Sequence, residues 1–154
     1  MILTTLCYIE KDGAYLMLHR VKKKQDPNEG KWIGIGGKFE QDESPEDCLL
    51  REVYEETGLT LTRYHFRGIV TFINSEWETE YMHLFTADGF DGELKDDCPE
   101  GTLKWVSFKD IPSLTLWEGD RIFLRKLMEN HSSVFSMKLI YQGDTLVDVI
   151  TTDY

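Results

Sequence analysis

The sequence lacks any long hydrophobic run: nowhere do apolar residues approach the roughly 18 in succession that a membrane-spanning helix requires. A helical membrane protein is therefore excluded, and no membrane partner is expected. The N-terminal stretch MILTTLCYIEKDG has no cationic start, and Thr4, Thr5 and Glu10 interrupt its apolar residues, so a secretory leader is not expected either. Cysteine is scarce. Cys7, Cys48 and Cys98 are odd in number, far apart and without a CxxC pair, which argues against a disulfide framework or a thiolate metal site and suits a reducing cytoplasm. His19, His65, His83 and His131 show no short metal-ligand spacing and read as surface or core histidines. Positive charge is also short, 17 Lys and Arg against 28 Asp and Glu, for a net charge of -11. Affinity for DNA or RNA comes from cations that displace counterions, so a nucleic-acid polymer is not an expected partner. A small anionic ligand in a local site remains compatible with this balance. No repeat, low-complexity tract or flexible linker divides the 154 residues, which read as one domain over 1–154 with room for a substantial core.

What is present is punctuated by clear local signals. The apolar runs Leu3 to Ile9 and Tyr15 to His19 flank Lys11-Asp12-Gly13, a hairpin turn. A polar loop over Val21 to Gly30 carries Lys22-Lys23-Lys24, read as a solvated loop with gathering of phosphates as the alternative, and a short run follows from Trp32 to Gly37. Ser44-Pro45-Glu46-Asp47 combines an N-cap serine, a proline at the first helical position and acids in the first turn, while Gly58 supplies the stop. A helix over Pro45 to Thr57 is expected, with Leu49, Leu50 and Val53 facing the core and Tyr54 packing. Tyr64 to Ile73, Trp77 to Phe85 and Leu103 to Phe108 read as strands, Ile122, Phe123, Leu127 and Met128 have helical spacing, and Phe135 to Tyr141 with Thr145 to Thr151 form a last hairpin. The class is α/β, with a mixed sheet and two main helices.

On the first helix, Glu52, Glu55 and Glu56 share an arc about 100° wide, because i, i+3 and i+4 are surface neighbours. Three carboxylates that converge near a helix C-terminus repel one another and oppose the macrodipole, so something positive should sit among them. Oxygen ligands on one rigid face suit Mg²⁺ or Mn²⁺, and a solvated acidic face is the plain alternative. Gly36-Gly37 allows close backbone approach, Arg51 can orient a carboxylate or meet phosphate, and Glu43 lies eight residues before Arg51.

Gly37, five residues, Glu43, seven residues, then Arg51-Glu52-Val53-Tyr54-Glu55-Glu56-Thr57-Gly58-Leu59 resembles the Nudix box at every defined position. The resemblance implies the Nudix fold, a mixed β-sheet sandwiched between helices. It also implies metal-assisted hydrolysis of a nucleoside diphosphate linked to another group. By position it makes Glu52, Glu55 and Glu56 metal-binding carboxylates with Gly36 as a backbone ligand, and gives Arg51 and Glu43 an orienting role. The carboxylate that takes the proton of the attacking water is then Glu55, Glu56 or, from outside the box, Glu100. Looser likeness over almost the whole chain extends to the MutT-type triphosphatases and the oxidised-purine nucleoside triphosphatases, through Gly30-Lys31-Trp32, the Trp105 strand, Ile111-Pro112, Leu116-Trp117 and Gln142-Gly143-Asp144-Thr145. It implies that Trp117 stacks on a base, Asp120 bonds its edge, Phe72 and Thr5 line the pocket, and Arg20, Gly37 and Lys38 face the phosphates. For Trp117 and Phe72, core packing is the competing reading. Ile33 and Gly119 depart from that family, which has an asparagine and an aspartate there, so triphosphate cleavage carries over better than an 8-oxoguanine preference.

The reading that follows is an enzyme converting a (deoxy)nucleoside triphosphate, 8-oxo-dGTP or a related purine, to monophosphate and pyrophosphate. Alternatives are a dinucleotide, ADP-ribose or a 5'-triphosphate RNA end as substrate, and a non-catalytic nucleotide-binding module. Much of the acidity is local: between residues 40 and 56, Glu40, Asp42, Glu43, Glu46, Asp47, Glu52, Glu55 and Glu56 face only Arg51. A bound cation would neutralise part of that charge where a polyphosphate docks.

Overall fold

The computed structural model describes residues 1–21, 26–96 and 98–154; the Lys22-Lys23-Lys24 loop lies outside the described residues. Strands β1 (Ile2–Lys11) and β2 (Ala14–His19) meet at a turn in which Asp12 and Gly13 have φ of 51° and 74°, the left-handed pair that a tight hairpin needs. The Trp32 to Gly37 run is two short strands, β3 (Trp32–Ile33) on β2 and β4 (Ile35–Lys38) on β1. Gly34 separates them: a Cβ there would lie 2.8 Å from the Cys7 carbonyl oxygen. Helix α1 runs over Pro45–Thr57, the expected span, with a reciprocal Ser44/Asp47 capping box and Gly58 left-handed at φ 80°.

The long hairpin β5 (Thr60–Asn74) and β6 (Glu80–Asp91) extends well past the expected strands, and β6 starts three residues later than expected. Its polar ends carry ladder pairs without an apolar pattern. After β7 (Thr102–Ser107), a short 3-10 turn at Ile111–Ser113 leads to helix α2 (Glu118–Glu129), and β8 (Phe135–Gln142) and β9 (Thr145–Asp153) form the last hairpin. The strand order is β3-β2-β1-β6-β5-β8-β9, with β4 also on β1 and β7 on β2. Only β1–β6 and β5–β8 pair in parallel, so the sheet is mixed as expected.

Strand β1 explains how the layers form. It is buried on both faces from Thr4 to Ile9, so its sequence is mostly apolar with no alternation of apolar and polar residues. Leu6 and Tyr8 enter a core with Phe123, Leu124 and Leu127 of α2, whereas Cys7 and Ile9 enter a second core with Leu49 and Val53 of α1. The sheet therefore lies between the two helices. Two expectations for α1 are corrected: Leu50 is exposed and Tyr54 is 57% exposed, because Cys48, Leu49, Val53, Glu56 and Thr57 make the inward stripe. A carboxylate thus occupies a core-facing position.

Candidate active site

Arg51 organises the acidic side of the site. Its Nε and Nη2 donate to the two oxygens of Glu43 at 2.7 and 2.9 Å, its Nη1 to Glu52 at 2.8 Å and Glu55 at 3.1 Å, and Nη2 also to the Lys38 carbonyl at 3.0 Å. The planar fork of a guanidinium is what allows so many acceptors in fixed directions. This pairing holds Glu43 down to about 2, and Glu40 N–H, donating to Glu43 at 2.7 Å, helps. Glu52 is raised, mostly by burial, with Arg51 pulling it back.

Glu56 is different. It is 8% exposed, and the Gly36 N–H donates to its Oε2 at 3.1 Å. Burial, the adjacent Glu100 carboxyl within hydrogen-bonding reach, and Glu52 push it up to about 10. Glu100 also accepts from Arg20 Nη1 at 3.2 Å. The expected convergence of Glu52, Glu55 and Glu56 is therefore corrected: Glu52 and Glu55 turn to Arg51 and Glu56 turns under β4. Among the described residues, no three His, Cys, Asp or Glu side chains close around one point as an ion would require. The donor chemistry still fits a hard divalent cation. Glu52 has Glu55 and Glu100 for acidic neighbours, and the most buried acid, Glu56, faces Glu100 and Glu52 with only a backbone N–H to offset them, so oxygen donors stand in pairs rather than around one point.

The glycines before α1 are required by contact. A Cβ on Gly36 would fall 1.9 Å from the Thr5 carbonyl oxygen, and one on Gly37 2.6 Å from the Glu52 carboxyl carbon. Gly37 thus sits directly against Glu52. Arg20 is 9% exposed and committed to Asp26 at 2.7 Å as well as to Glu100, while Lys38, the last residue of β4, is exposed. Of the two expected phosphate-facing cations, Lys38 is thus the less encumbered.

A second group gathers on the α2 face. Trp117 precedes α2, its Nε1 donates to Asn28 at 2.7 Å, the Lys31 ammonium lies 4.3 Å from its ring centroid, and Tyr141 and Trp77 meet it edge-on. Phe72 is half-buried and stacks on Tyr141, so it packs on the core and still borders this group. Asp120, in the first turn of α2, is 4% exposed and pushed up to about 8 by burial and then by Glu80, against Lys31. Gly119 has no room for a side chain: a Cβ would stand 2.5 Å from Leu139 Cδ1 and 2.7 Å from the Tyr141 hydroxyl, which accepts the Gly119 N–H at 2.7 Å.

Two residues expected at the base pocket fall elsewhere, through strand parity. The Thr5 hydroxyl lies 3.4 Å from Cys48 Sγ on the α1 face, and Ile33 packs in the α1-side core beside Leu18. Thr4 takes the α2 face instead, donating to Glu80 Oε2 at 2.6 Å. Sequence reasoning missed Thr4, Glu80, Lys31 and Asn28; alternation with Leu6 and Tyr8 would have selected Thr4, whereas Glu80 is the last of three alternating acids, Glu76, Glu78 and Glu80, and nothing local singles it out. The four histidines each find a separate partner, Trp32, Asp88, the Thr4 carbonyl and Glu10.

Comparison with known proteins agrees with this layout. Over 132 residues the chain is 34% identical to YvcI of Bacillus subtilis, a Nudix hydrolase, covering 81% of this chain and 78% of that one. Over 146 residues it is 31% identical to the oxidized purine nucleoside triphosphate hydrolase of Danio rerio, covering 94% and 90%. The crystal structure of a MutT protein from Bacillus halodurans superposes with a TM-score of 0.87 at 25% identity, over 98% of this chain and 97% of that one. The sequence model of the NUDIX domain matches residues 3–127, a span that holds β1, the Arg51 cluster and Asp120 alike, and on that match the chain belongs to the Nudix hydrolases.

Proposed function

We propose that this Nudix hydrolase cleaves a (deoxy)nucleoside triphosphate, with an oxidised purine such as 8-oxo-dGTP as the favoured base, to the monophosphate and pyrophosphate. The carrying observation is the buried Glu56, crowded by Glu100 and Glu52 beside an Arg51 that already holds Glu43, Glu52 and Glu55. Nudix hydrolases work with a divalent metal ion. Here Glu52, Glu55, Glu56 and Glu100, with Gly36 beside them, would hold Mg²⁺ or Mn²⁺. When bound, the ion would neutralise the phosphate chain and make a water more acidic.

The chain's own residues do the rest. Arg51 fixes the carboxylates in place through its fork to Glu43, so that little reorganisation is left for the reaction. The Glu56–Glu100 pair accepts the proton of the attacking water, a pair of acids being able to take up one proton between them. Water adds to phosphorus as the P–O bond of the α–β bridge breaks, and the two products are the monophosphate and pyrophosphate. Lys38 meets phosphate oxygens, and Trp117, Phe72 and Asp120 hold the base. The kinship to an oxidised-purine triphosphate hydrolase supports that base assignment.

The test is a panel of triphosphates, oxidised and normal, with ADP-ribose, a dinucleotide and a 5'-triphosphate RNA end, each incubated with Mg²⁺ while monophosphate and pyrophosphate are measured. The expected result is release of both products from a purine triphosphate at the highest kcat/KM. Orthophosphate alone, or no turnover of any triphosphate, refutes the reading.

A further inference from the structure

A turn that the expected site residues leave out touches both halves of the site. Asp26-Pro27-Asn28-Glu29 has the composition of a β-turn, and the Glu29 N–H closes it on the Asp26 carbonyl at 2.9 Å. The Gly30 N–H donates to the Arg20 carbonyl at 2.7 Å and the Arg20 N–H to the Lys31 carbonyl at 3.0 Å, so the turn is pinned to the residue that follows β2. Its two polar side chains serve different groups. The Asp26 side chain is only 5% exposed; one oxygen takes Arg20 Nε at 2.7 Å and the other takes the Asn28 N–H at 3.2 Å. Arg20 continues through Nη1 to Glu100 at 3.2 Å, and Glu100 lies within hydrogen-bonding reach of Glu56. The Asn28 side-chain oxygen accepts from Trp117 Nε1 at 2.7 Å. An unbroken chain of contacts thus runs from the indole to the buried acids, with Asp26 at its centre.

We propose that Asp26 and Asn28 are positioning residues of the site, Asp26 setting Glu100 through Arg20 and Asn28 setting the orientation of Trp117. The assignment rests on the proposed function, in which Glu100 shares the proton of the attacking water and Trp117 stacks on the base. Arg20 stands between two acids, and its planar fork fixes the direction of each. Without the Asp26 charge its one carboxylate among the described residues is Glu100, and a buried cation that has lost a partner draws the other closer. Glu100 then leaves Glu56. On the other arm, the indole has a single N–H donor, so its bond to Asn28, with Tyr141 and Trp77 edge-on, holds the ring in place before a base arrives. The two arms act on different quantities. Stacking is the same in ground and transition states and is read in KM, whereas the placement of Glu100 bears on the chemical step and is read in kcat.

The test uses the full chain with Asp26→Asn, which keeps an oxygen for the Asn28 N–H and lacks the charge, and with Asn28→Ala, which takes the acceptor away from Trp117. GMP binding without metal is followed by tryptophan fluorescence and Mn²⁺ binding by electron paramagnetic resonance. Values of kcat and KM are measured with Mg²⁺ on the triphosphate that the wild type cleaves best. Asp26→Asn is expected to lower kcat about 10- to 100-fold and to weaken Mn²⁺ binding about 10-fold, with the Kd for GMP unchanged. Asn28→Ala is expected to raise the Kd for GMP and KM about 3- to 10-fold, with kcat and Mn²⁺ binding unchanged. Circular dichroism checks that each variant is folded at the assay temperature. Where Asp26→Asn is not, Arg20→Lys, whose ammonium cannot hold two acids in fixed directions, replaces it with the same expectation. Wild-type kcat and Mn²⁺ binding in the Asp26 variant, or a Kd for GMP that moves with them, overturns the role of Asp26. An unchanged Kd for GMP in Asn28→Ala overturns that of Asn28. A wild type that neither binds GMP nor cleaves any triphosphate overturns the proposed function together with both.

Discussion

Removing the charge from Glu56 gives a prediction whose size follows from the site. In metal-free protein Glu56 is pushed from 4.5 to about 10, first by burial and then by Glu100 and Glu52. Between those values the folded chain holds one proton that the unfolded chain has released. The resulting stabilisation is complete below the unfolded value and is lost as pH rises towards the folded one. The slope is about 1.4 kcal/mol per pH unit, so a rise from about pH 5.5 to about pH 7.5 costs about 3 kcal/mol. For a chain of this size that corresponds to a fall in Tm of roughly 6–12 °C. Glu56→Gln keeps an oxygen for the Gly36 N–H and has nothing to ionise, so its slope is shallower by that amount. Asp120, raised to about 8, tilts both proteins alike, and the difference between them isolates Glu56. Thermal unfolding by circular dichroism in EDTA, over that pH range, reads the effect. Saturating Mg²⁺ should flatten the wild-type slope, because the cation binds the deprotonated carboxylate, and should leave the variant unchanged. Parallel wild-type and variant curves in EDTA would refute the argument.

Two further outcomes probe the neighbouring residues. Arg51→Lys keeps the charge but cannot reach Glu43, Glu52, Glu55 and the Lys38 carbonyl together, so kcat should fall on the order of 100-fold with Tm lowered only modestly; undiminished turnover would show that the fork does not position the carboxylates. Gly119→Asp, which would supply an adjacent acid on α2, should lower stability by about 1–3 kcal/mol, because its Cβ would press on Leu139 and the Tyr141 hydroxyl; an unaltered unfolding midpoint in urea would count against that packing.

The features legible in the sequence are those set by chemistry over a few residues. Helix α1 has the expected bounds because the Ser44/Asp47 box and the left-handed Gly58 are local devices, and the first hairpin follows from Asp12-Gly13. The Nudix box is likewise contiguous, so the family is readable from it. What depends on strand parity or on distant partners is not. Thr5 and Ile33 hold sequence positions that the resemblance sets near a pocket, but each points to the α1 face, and a one-residue difference in a strand inverts that choice. Spacing alone puts Leu50 in the core, where the structure does not; Glu56 takes an inward place that polarity would have denied it. Glu80 meets the Thr4 hydroxyl only through the pairing of β6 with β1, which no local signal in residues 77–85 reveals.

The sheet that separates α1 from α2 has an evolutionary consequence. The acids assigned to phosphate under the proposed function are encoded mostly in one short stretch, residues 43–56, whereas the groups around Trp117 come from scattered segments, Asn28, Lys31, Phe72, Trp77 and Tyr141 among them. Under the proposed function, drift in β6, β8 or the start of α2 would exchange one recognised base for another while the acids of α1 stay where they are. On that reading, a lineage with this architecture would change its diet of nucleotides by altering one layer at a time.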